Sequence, residues 1–126
     1  MTADITGLYA AGLAALFVVL SARVIMFRRA NKVSLGDGGD KVLQARVRAQ
    51  GNFAEYAPFG VLLILLAELQ GTPGPWLHLC GGLLLVGRIM HGVNFSFGLR
   101  KVVLRVGGMV LTLTSLIIAA IFALPL

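Results

Sequence analysis

The sequence predicts an all-α integral membrane protein, a bundle of four transmembrane helices with membrane lipid as its solvent. Of its 126 residues, 58% are hydrophobic and only 13% are charged, and the mean hydropathy is +0.91. The apolar residues concentrate in four stretches, at about residues 5–27, 50–69, 76–98 and 104–125. A helix needs about 20 residues to cross the hydrocarbon layer, and backbone groups in lipid must hydrogen-bond within their own segment. We therefore expect one membrane-spanning helix per stretch, in a single domain over residues 1–126.

The segments that connect these stretches differ in charge. The first has a turn-forming centre, Leu-Gly-Asp-Gly-Gly-Asp, and its basic residues are Arg28, Arg29, Lys32, Lys41, Arg46 and Arg48. The second, residues 71–75, has no charge and predicts a tight reversal, whereas the third, before the last helix, is again basic. Because basic loops stay on the cytoplasmic side, we expect the first and third loops there and both termini on the opposite side.

The charge and the single cysteine exclude several other functions. The net charge of +6 arises from loops between apolar segments, so membrane topology explains it and no nucleic-acid partner is predicted. Cys80 is the only cysteine, which excludes an intramolecular disulfide and a cysteine-based zinc site, and we predict no metal site. Small multidrug exporters also have four helices, but they need a carboxylate near the membrane midplane. The first helix here has only Asp4, at its outer end.

The second helix carries polar residues on one face near its cytoplasmic end. Arg48, Asn52 and Glu55 are spaced i, i+4, i+7, which aligns them along the helix. Ionisable groups at membrane depth usually face a partner or a wet cavity, so we expect this face to look inward. They are either an interfacial salt bridge with an asparagine that joins two helices, or part of a ligand site. Tyr56 beside them is either part of that site or an interface anchor. Glu68, at the outer end of the same helix, is interpreted as part of a solvated cap region.

The third and fourth helices add further ionisable residues. Arg88 and His91 lie three apart in an apolar context, and a buried arginine calls for a carboxylate. Glu55 is the acidic residue at a comparable depth, so we predict that Arg88 and Glu55 approach each other, within one subunit or across an interface. His91 is either a packing residue or a ligand-binding residue. Arg105, like Arg23, is by default a charge that reaches the interface from a helix end.

Together these residues describe a cluster in the cytoplasmic half of the bundle. Its members are Arg48, Asn52, Glu55, Arg88, His91 and Arg105. Several guanidinium groups with one carboxylate suit a small anionic ligand that also carries an amine or amides, because arginine pairs with carboxylates and thiolates.

The second helix also resembles a known signature. Arg48-Ala49-Gln50, followed by Asn52, Glu55-Tyr56 and Pro58, is similar to the second-helix motif of the membrane-associated proteins in eicosanoid and glutathione metabolism, the MAPEG family. This family includes microsomal glutathione transferases, leukotriene C synthase and microsomal prostaglandin E synthase. The resemblance extends from about residue 28 to residue 112, and the Leu-Gly-Asp-Gly-Gly loop resembles that of bacterial members. A bacterial inner membrane protein is therefore expected.

The resemblance implies a homotrimer that binds glutathione between subunits and lets a lipophilic second substrate enter from the bilayer. The residues that it assigns to glutathione binding are Arg28, Arg48, Asn52, Glu55, Tyr56, Arg88 and His91. Arg105 resembles the arginine that stabilises the glutathione thiolate, and it is the implied catalytic residue. A guanidinium lowers the pKa of a thiol and so prepares the thiolate for attack on an electrophile or a hydroperoxide.

Two features depart from the family pattern. Phe95 stands where several catalytic members have a tyrosine, and it cannot donate a hydrogen bond. The spacing from His91 to Arg105 also needs a small shift to match. The leading hypothesis is a glutathione-dependent transferase or peroxidase, which the second-helix motif favours. The alternative is a non-catalytic lipid-binding or scaffold protein of the same fold, which Phe95 favours.

Overall fold

The computed structural model describes residues 2–126 and is all-helical over that range. Its four helices are α1 (Asp4–Asn31), α2 (Lys41–Leu69), α3 (Gly74–Ser96) and α4 (Val102–Ala123). All four are long and apolar enough to cross a membrane. The prediction of an all-α bundle with four membrane-spanning helices is confirmed.

The second helix begins at Lys41, well before the apolar stretch that starts near residue 50. The Asp40 side chain caps it by accepting hydrogen bonds from the backbone N–H groups of Val42 at 2.8 Å and Leu43 at 3.1 Å. These bonds satisfy donors that a helix otherwise leaves unpaired at its first turn. The helix therefore begins before the apolar segment, and basic residues such as Arg46 lie on this helix rather than in a loop.

Two helices form the centre of the bundle, because α2 and α3 each contact all the other helices, whereas α1 and α4 contact only these two. The closest approach joins α3 to α4 at Gly87 and Gly108. A Cβ atom on Gly87 would lie 2.8 Å from the carbonyl oxygen of Gly108, so the two backbones touch. Most of the core elsewhere in the bundle is apolar, with Leu20, Ile64 and Leu84 at most 1% exposed.

Large apolar side chains also cover the outside of the bundle. Val18 is 66% exposed and Ile117 is 63% exposed. Such a surface is unfavourable in water and neutral in lipid, whose tails are as apolar as these side chains. The outer surface therefore agrees with a membrane environment.

Glu68 at the end of α2 caps the start of α1. Its carboxylate accepts hydrogen bonds from the backbone N–H groups of Thr6 at 2.8 Å and Ile5 at 3.1 Å, and from the Thr6 hydroxyl at 2.7 Å. A carboxylate at a helix N-terminus also interacts favourably with the helix dipole. Glu68 therefore acts as a cap, as the sequence indicated, but the helix that it caps is α1, so the residue also ties two helices together.

Candidate functional site: a buried arginine cluster and two basic clefts

Arg88 of α3 is 1% exposed, and its guanidinium group contacts α2 and α4. Its Nε donates to Thr112 Oγ1 at 3.0 Å, Nη1 donates to both oxygens of Asn52, and Nη2 contacts Met109 Sδ at 3.3 Å. These acceptors are neutral groups of α2 and α4. Among residues 2–126, Arg88 forms no ion pair with Glu55, because an amide and a hydroxyl take the place of the carboxylate. Their approach across a subunit interface stays a prediction.

The carboxylate of Glu55 pairs instead with Arg48. Arg48 Nη1 lies 3.0 Å from Glu55 Oε1, and the two side chains are 55% and 54% exposed. Asn52, between them along the helix, faces inward and is 7% exposed. The salt bridge and the helix-joining asparagine, which formed one of the two interpretations of this face, are both present. This places a cation and an anion on the surface directly above the Asn52–Arg88 contact.

Tyr56 and His91 border the same cluster. The guanidinium carbon of Arg88 lies 5.4 Å from the centre of the Tyr56 ring, within the range of a cation–π contact. His91 is 5% exposed and stacks on Phe95, with ring centres 4.6 Å apart. Among residues 2–126, nothing hydrogen-bonds to the buried Nδ1 of His91. His91 therefore packs in the core and retains one polar atom without a partner.

Arg105 lies elsewhere in the subunit. It is exposed and lines a cleft of about 720 Å³ between the ends of the four helices, together with Arg23, Arg46 and Ser96. We call this space the main basic cleft. The residues of α2 that carry the signature do not line it. One subunit by itself therefore does not bring Arg105 to Arg48 and Glu55.

Arg28 also stands apart from the cluster. It donates a hydrogen bond to the carbonyl oxygen of Gly36. It lines a separate cleft of about 540 Å³ with Arg29 and Lys32. Of the residues singled out in the sequence, the structure groups those on α2 and α3 and leaves Arg28 and Arg105 in two other places.

Sequence reasoning missed the partners that α4 supplies to the buried cation. Thr112 is fully buried and Met109 lies within 3.3 Å of Arg88. A threonine inside an otherwise apolar stretch was the signal that might have identified Thr112, because a hydroxyl in lipid needs a partner. Sequence also missed that Arg23 turns inward: its Nε donates to Ser96 Oγ at 2.7 Å, and its guanidinium lies 3.6 Å from the centre of the Phe97 ring.

Comparison with known proteins shows the family to which the chain belongs. The sequence profile of the MAPEG family matches residues 6–125. The chain belongs to the MAPEG family. This MAPEG protein is also 38% identical over 91 residues to the inner membrane protein YecN of Escherichia coli K12. The aligned region covers 72% of this chain and 70% of YecN. YecN of Escherichia coli O6:H1 gives the same values. No solved structure matches the chain.

The four helices and the likeness to an inner membrane protein support a multi-pass inner membrane protein. Family membership explains why a short polar signature stands in so apolar a chain. The observed contacts give that signature a structural part as well, because Asn52 holds α3 through Arg88. Arg48 and Glu55 remain on the surface.

Proposed function

We propose that this MAPEG protein binds glutathione at the polar face of α2 and activates its thiol for attack on lipophilic electrophiles or hydroperoxides. The observation that supports this is the exposed pair of Arg48 and Glu55, opposite charges 3.0 Å apart, above the buried Asn52–Arg88 contact. Glutathione carries carboxylates and an amine, so it can exchange the salt bridge for contacts with both partners. The buried contact between Arg88 and Asn52 holds α2 in place, and α2 presents Arg48 and Glu55.

The chemistry requires a thiolate close to a cation. A free thiol has a pKa of about 8.5, and a guanidinium in a site of reduced dielectric lowers it. The thiolate then forms a carbon–sulfur bond to an electrophile. With a hydroperoxide, two glutathione molecules are oxidised to their disulfide while the peroxide is reduced to an alcohol and water. We assign the activating cation to Arg105, in agreement with its match to the family.

Because one chain does not bring the proposed site residues together, this proposal requires a second copy of the chain. Arg105 lines a different cleft from Arg48 and Glu55, so the neighbouring subunit of a homotrimer supplies it, and Arg28 joins the site in the same way. The second substrate reaches the site from the bilayer. By the positive-inside rule, we expect this site at the cytoplasmic face.

The first test is glutathione binding to the detergent-purified protein, followed by the ultraviolet absorbance of the thiolate. The wild-type protein forms thiolate on adding glutathione, Arg105→Ala binds glutathione but forms at least about tenfold less thiolate, and Glu55→Gln binds it weakly. Arg29→Ala is the matched control, because it removes an exposed arginine that has no assigned role in the site. Thiolate formation that persists in Arg105→Ala would exclude the assigned role.

A second candidate function is a non-catalytic protein that binds lipid or a membrane partner. The observation in its favour is Phe95, whose ring stacks on His91 and has no hydroxyl to donate a hydrogen bond. Absence of any glutathione binding by the wild-type protein would favour this function.

A further inference from the structure

The main basic cleft lies where all four helices end on the same side of the bundle. Its walls come from α1, the first turns of α2, the end of α3 with the following loop, and the start of α4. The loop is tied to the α3 end, because Asn94 Oδ1 accepts a hydrogen bond from the backbone N–H of Lys101 at 2.8 Å. The cleft of about 720 Å³ is therefore a formed space at the depth where apolar helices give way to polar loops.

The cleft holds a concentrated positive charge. Its charged lining residues are Arg23, Lys41, Arg46, Arg100, Lys101 and Arg105, and no carboxylate lines it. Among residues 2–126 none of these six cations takes part in an ion pair. Like charges so close together repel one another, so an anion in the cleft would relieve that repulsion.

Two of these arginines are held rigidly in the cleft wall. Arg23 donates to the Ser96 hydroxyl and carbonyl oxygens and packs over Phe97. Arg46 Nη1 donates to the carbonyl oxygen of Arg23 at 2.9 Å, while its buried Nε has no hydrogen-bond partner among the described residues. A buried donor without a partner is rare in folded proteins. The cleft wall therefore holds two guanidinium groups in fixed positions.

Apolar side chains are exposed in the cleft beside the cations, and we call this part of its opening the apolar mouth. Val42, Phe97 and Val102 line it and are 53%, 49% and 63% exposed. A small soluble anion gains nothing from contact with these apolar side chains. An anion that carries acyl chains, by contrast, covers the side chains with those chains. Basic pockets between membrane helices at this depth suit anionic lipid headgroups.

We propose that the main basic cleft binds the phosphate group of an anionic phospholipid, one molecule per subunit, with its acyl chains along the apolar mouth. Fixed arginines of α1 and α2 contact the phosphodiester, and Lys41 and Arg100 strengthen the attraction from the rim. This inference uses neither Arg48 nor Glu55. The cleft does include Arg105, the residue assigned to the thiolate, so the test leaves Arg105 unchanged and varies other cations of the cleft.

The test is native mass spectrometry of the protein in a neutral detergent, titrated with phosphatidylglycerol or phosphatidylcholine. The wild-type protein binds phosphatidylglycerol more tightly, by about tenfold or more. The double variant Lys41→Gln/Arg100→Gln loses about tenfold or more of this affinity, since each cation near a membrane surface contributes about fivefold. Both side chains are exposed, so the fold is unaffected.

The matched control is Arg29→Gln/Lys32→Gln. It removes two exposed charges at the same end of the bundle, outside the main basic cleft. The two double variants also match in backbone conformation, because each changes one left-handed residue: Lys32 has φ of 55° and Arg100 has φ of 56°. The control retains phosphatidylglycerol binding. An equal loss in both double variants, or no preference for phosphatidylglycerol over phosphatidylcholine, overturns the proposal.

A third ligand shows whether the cleft binds the phosphodiester of a lipid or that of a soluble molecule. Glycerophosphoglycerol, the soluble headgroup, binds much more weakly than the lipid if acyl chains contact the apolar mouth. Equal affinity overturns the lipid assignment in favour of a soluble phosphodiester. A glutathione titration of the same double variants, in which Arg105 is intact, reports separately on the proposed function.

Discussion

Arg88 shows how a membrane helix can bury a cation without a carboxylate. Its guanidinium finds neutral acceptors on two neighbouring helices, at Asn52 and Thr112. Hydrogen bonds to a charged group are stronger than neutral ones, and a buried charge that loses a partner is strongly destabilising. The cluster therefore joins α2, α3 and α4 at one point, and each acceptor matters for stability.

A pair of threonines on α4 tests this at the residue level. Thr112 and Thr114 each donate to the carbonyl oxygen four residues earlier, at 2.7 Å, but only Thr112 also accepts from Arg88. Thr112→Val should lower the free energy of unfolding by about 2 kcal/mol, because a hydrogen bond to a charge is lost. Thr114→Val should change it by less than about 0.5 kcal/mol. Reversible unfolding in mixed micelles measures both, and equal effects would show that Thr112 does not support Arg88.

At the scale of elements, glycine decides how closely α3 and α4 approach. The carbonyl oxygen of Gly87 faces Gly108, and the reverse contact is equally close. Small residues let membrane helices pack at such distances and gain van der Waals contact where lipid offers no hydrophobic drive. The same contact places Thr112 within reach of Arg88, so the helix interface and the buried cluster depend on each other.

Two glycines of α3 test the helix contact. A Cβ on Gly87 would lie 2.8 Å from both the Gly108 carbonyl oxygen and Thr112 Oγ1, whereas one on Gly82 meets nothing within 4 Å. Gly87→Ala should destabilise the protein by about 1–3 kcal/mol, as overpacking does. Gly82→Ala should be neutral or stabilising by up to about 1 kcal/mol, because alanine favours a helix. Unfolding midpoints of the two variants should therefore move in opposite directions or differ clearly.

At the scale of the whole molecule, the proposed catalytic and binding residues occupy different surfaces of one subunit. Arg48 and Glu55 stand on an exposed face of α2, and Arg105 lines the main basic cleft. A site that needs all three is incomplete in a single chain. We propose that a symmetric oligomer completes it, because such an oligomer repeats one contact between neighbouring copies.

Mixed oligomers test this arrangement. Glu55→Gln and Arg105→Ala subunits, each defective alone, should regain part of the thiolate signal when co-expressed and purified together. The reason is that some interfaces then combine an intact Glu55 with an intact Arg105 from the neighbour. The control is a mixture of wild-type subunits with the Glu55→Gln/Arg105→Ala double variant, prepared at the same ratio. If co-expression of the single variants restores nothing, the two residues act within one subunit or not in one site.

The sequence predicted the polar face of α2 well, because helical periodicity alone places Arg48, Asn52 and Glu55 together. It also predicted that the whole face looks inward, and within one subunit this was wrong for Arg48 and Glu55, which are 55% and 54% exposed. The structure turns Asn52 toward Arg88 and leaves the charged pair outside, since ions at the rim stay hydrated while an amide can be buried if it is bonded. The choice between a carboxylate and an amide for Arg88 depends on helix rotation, which periodicity does not specify.

The sequence by itself determined that this protein spans a membrane with four helices, because the length and apolarity of each segment leave no other way to satisfy its backbone. It also determined the family, through a short polar motif. Only the tertiary structure decided which polar groups meet: the Arg88 cluster, the Glu68 cap on α1 and the main basic cleft all join residues from different helices. Such contacts arise from the approach and rotation of packed helices, and no spacing along one segment encodes them.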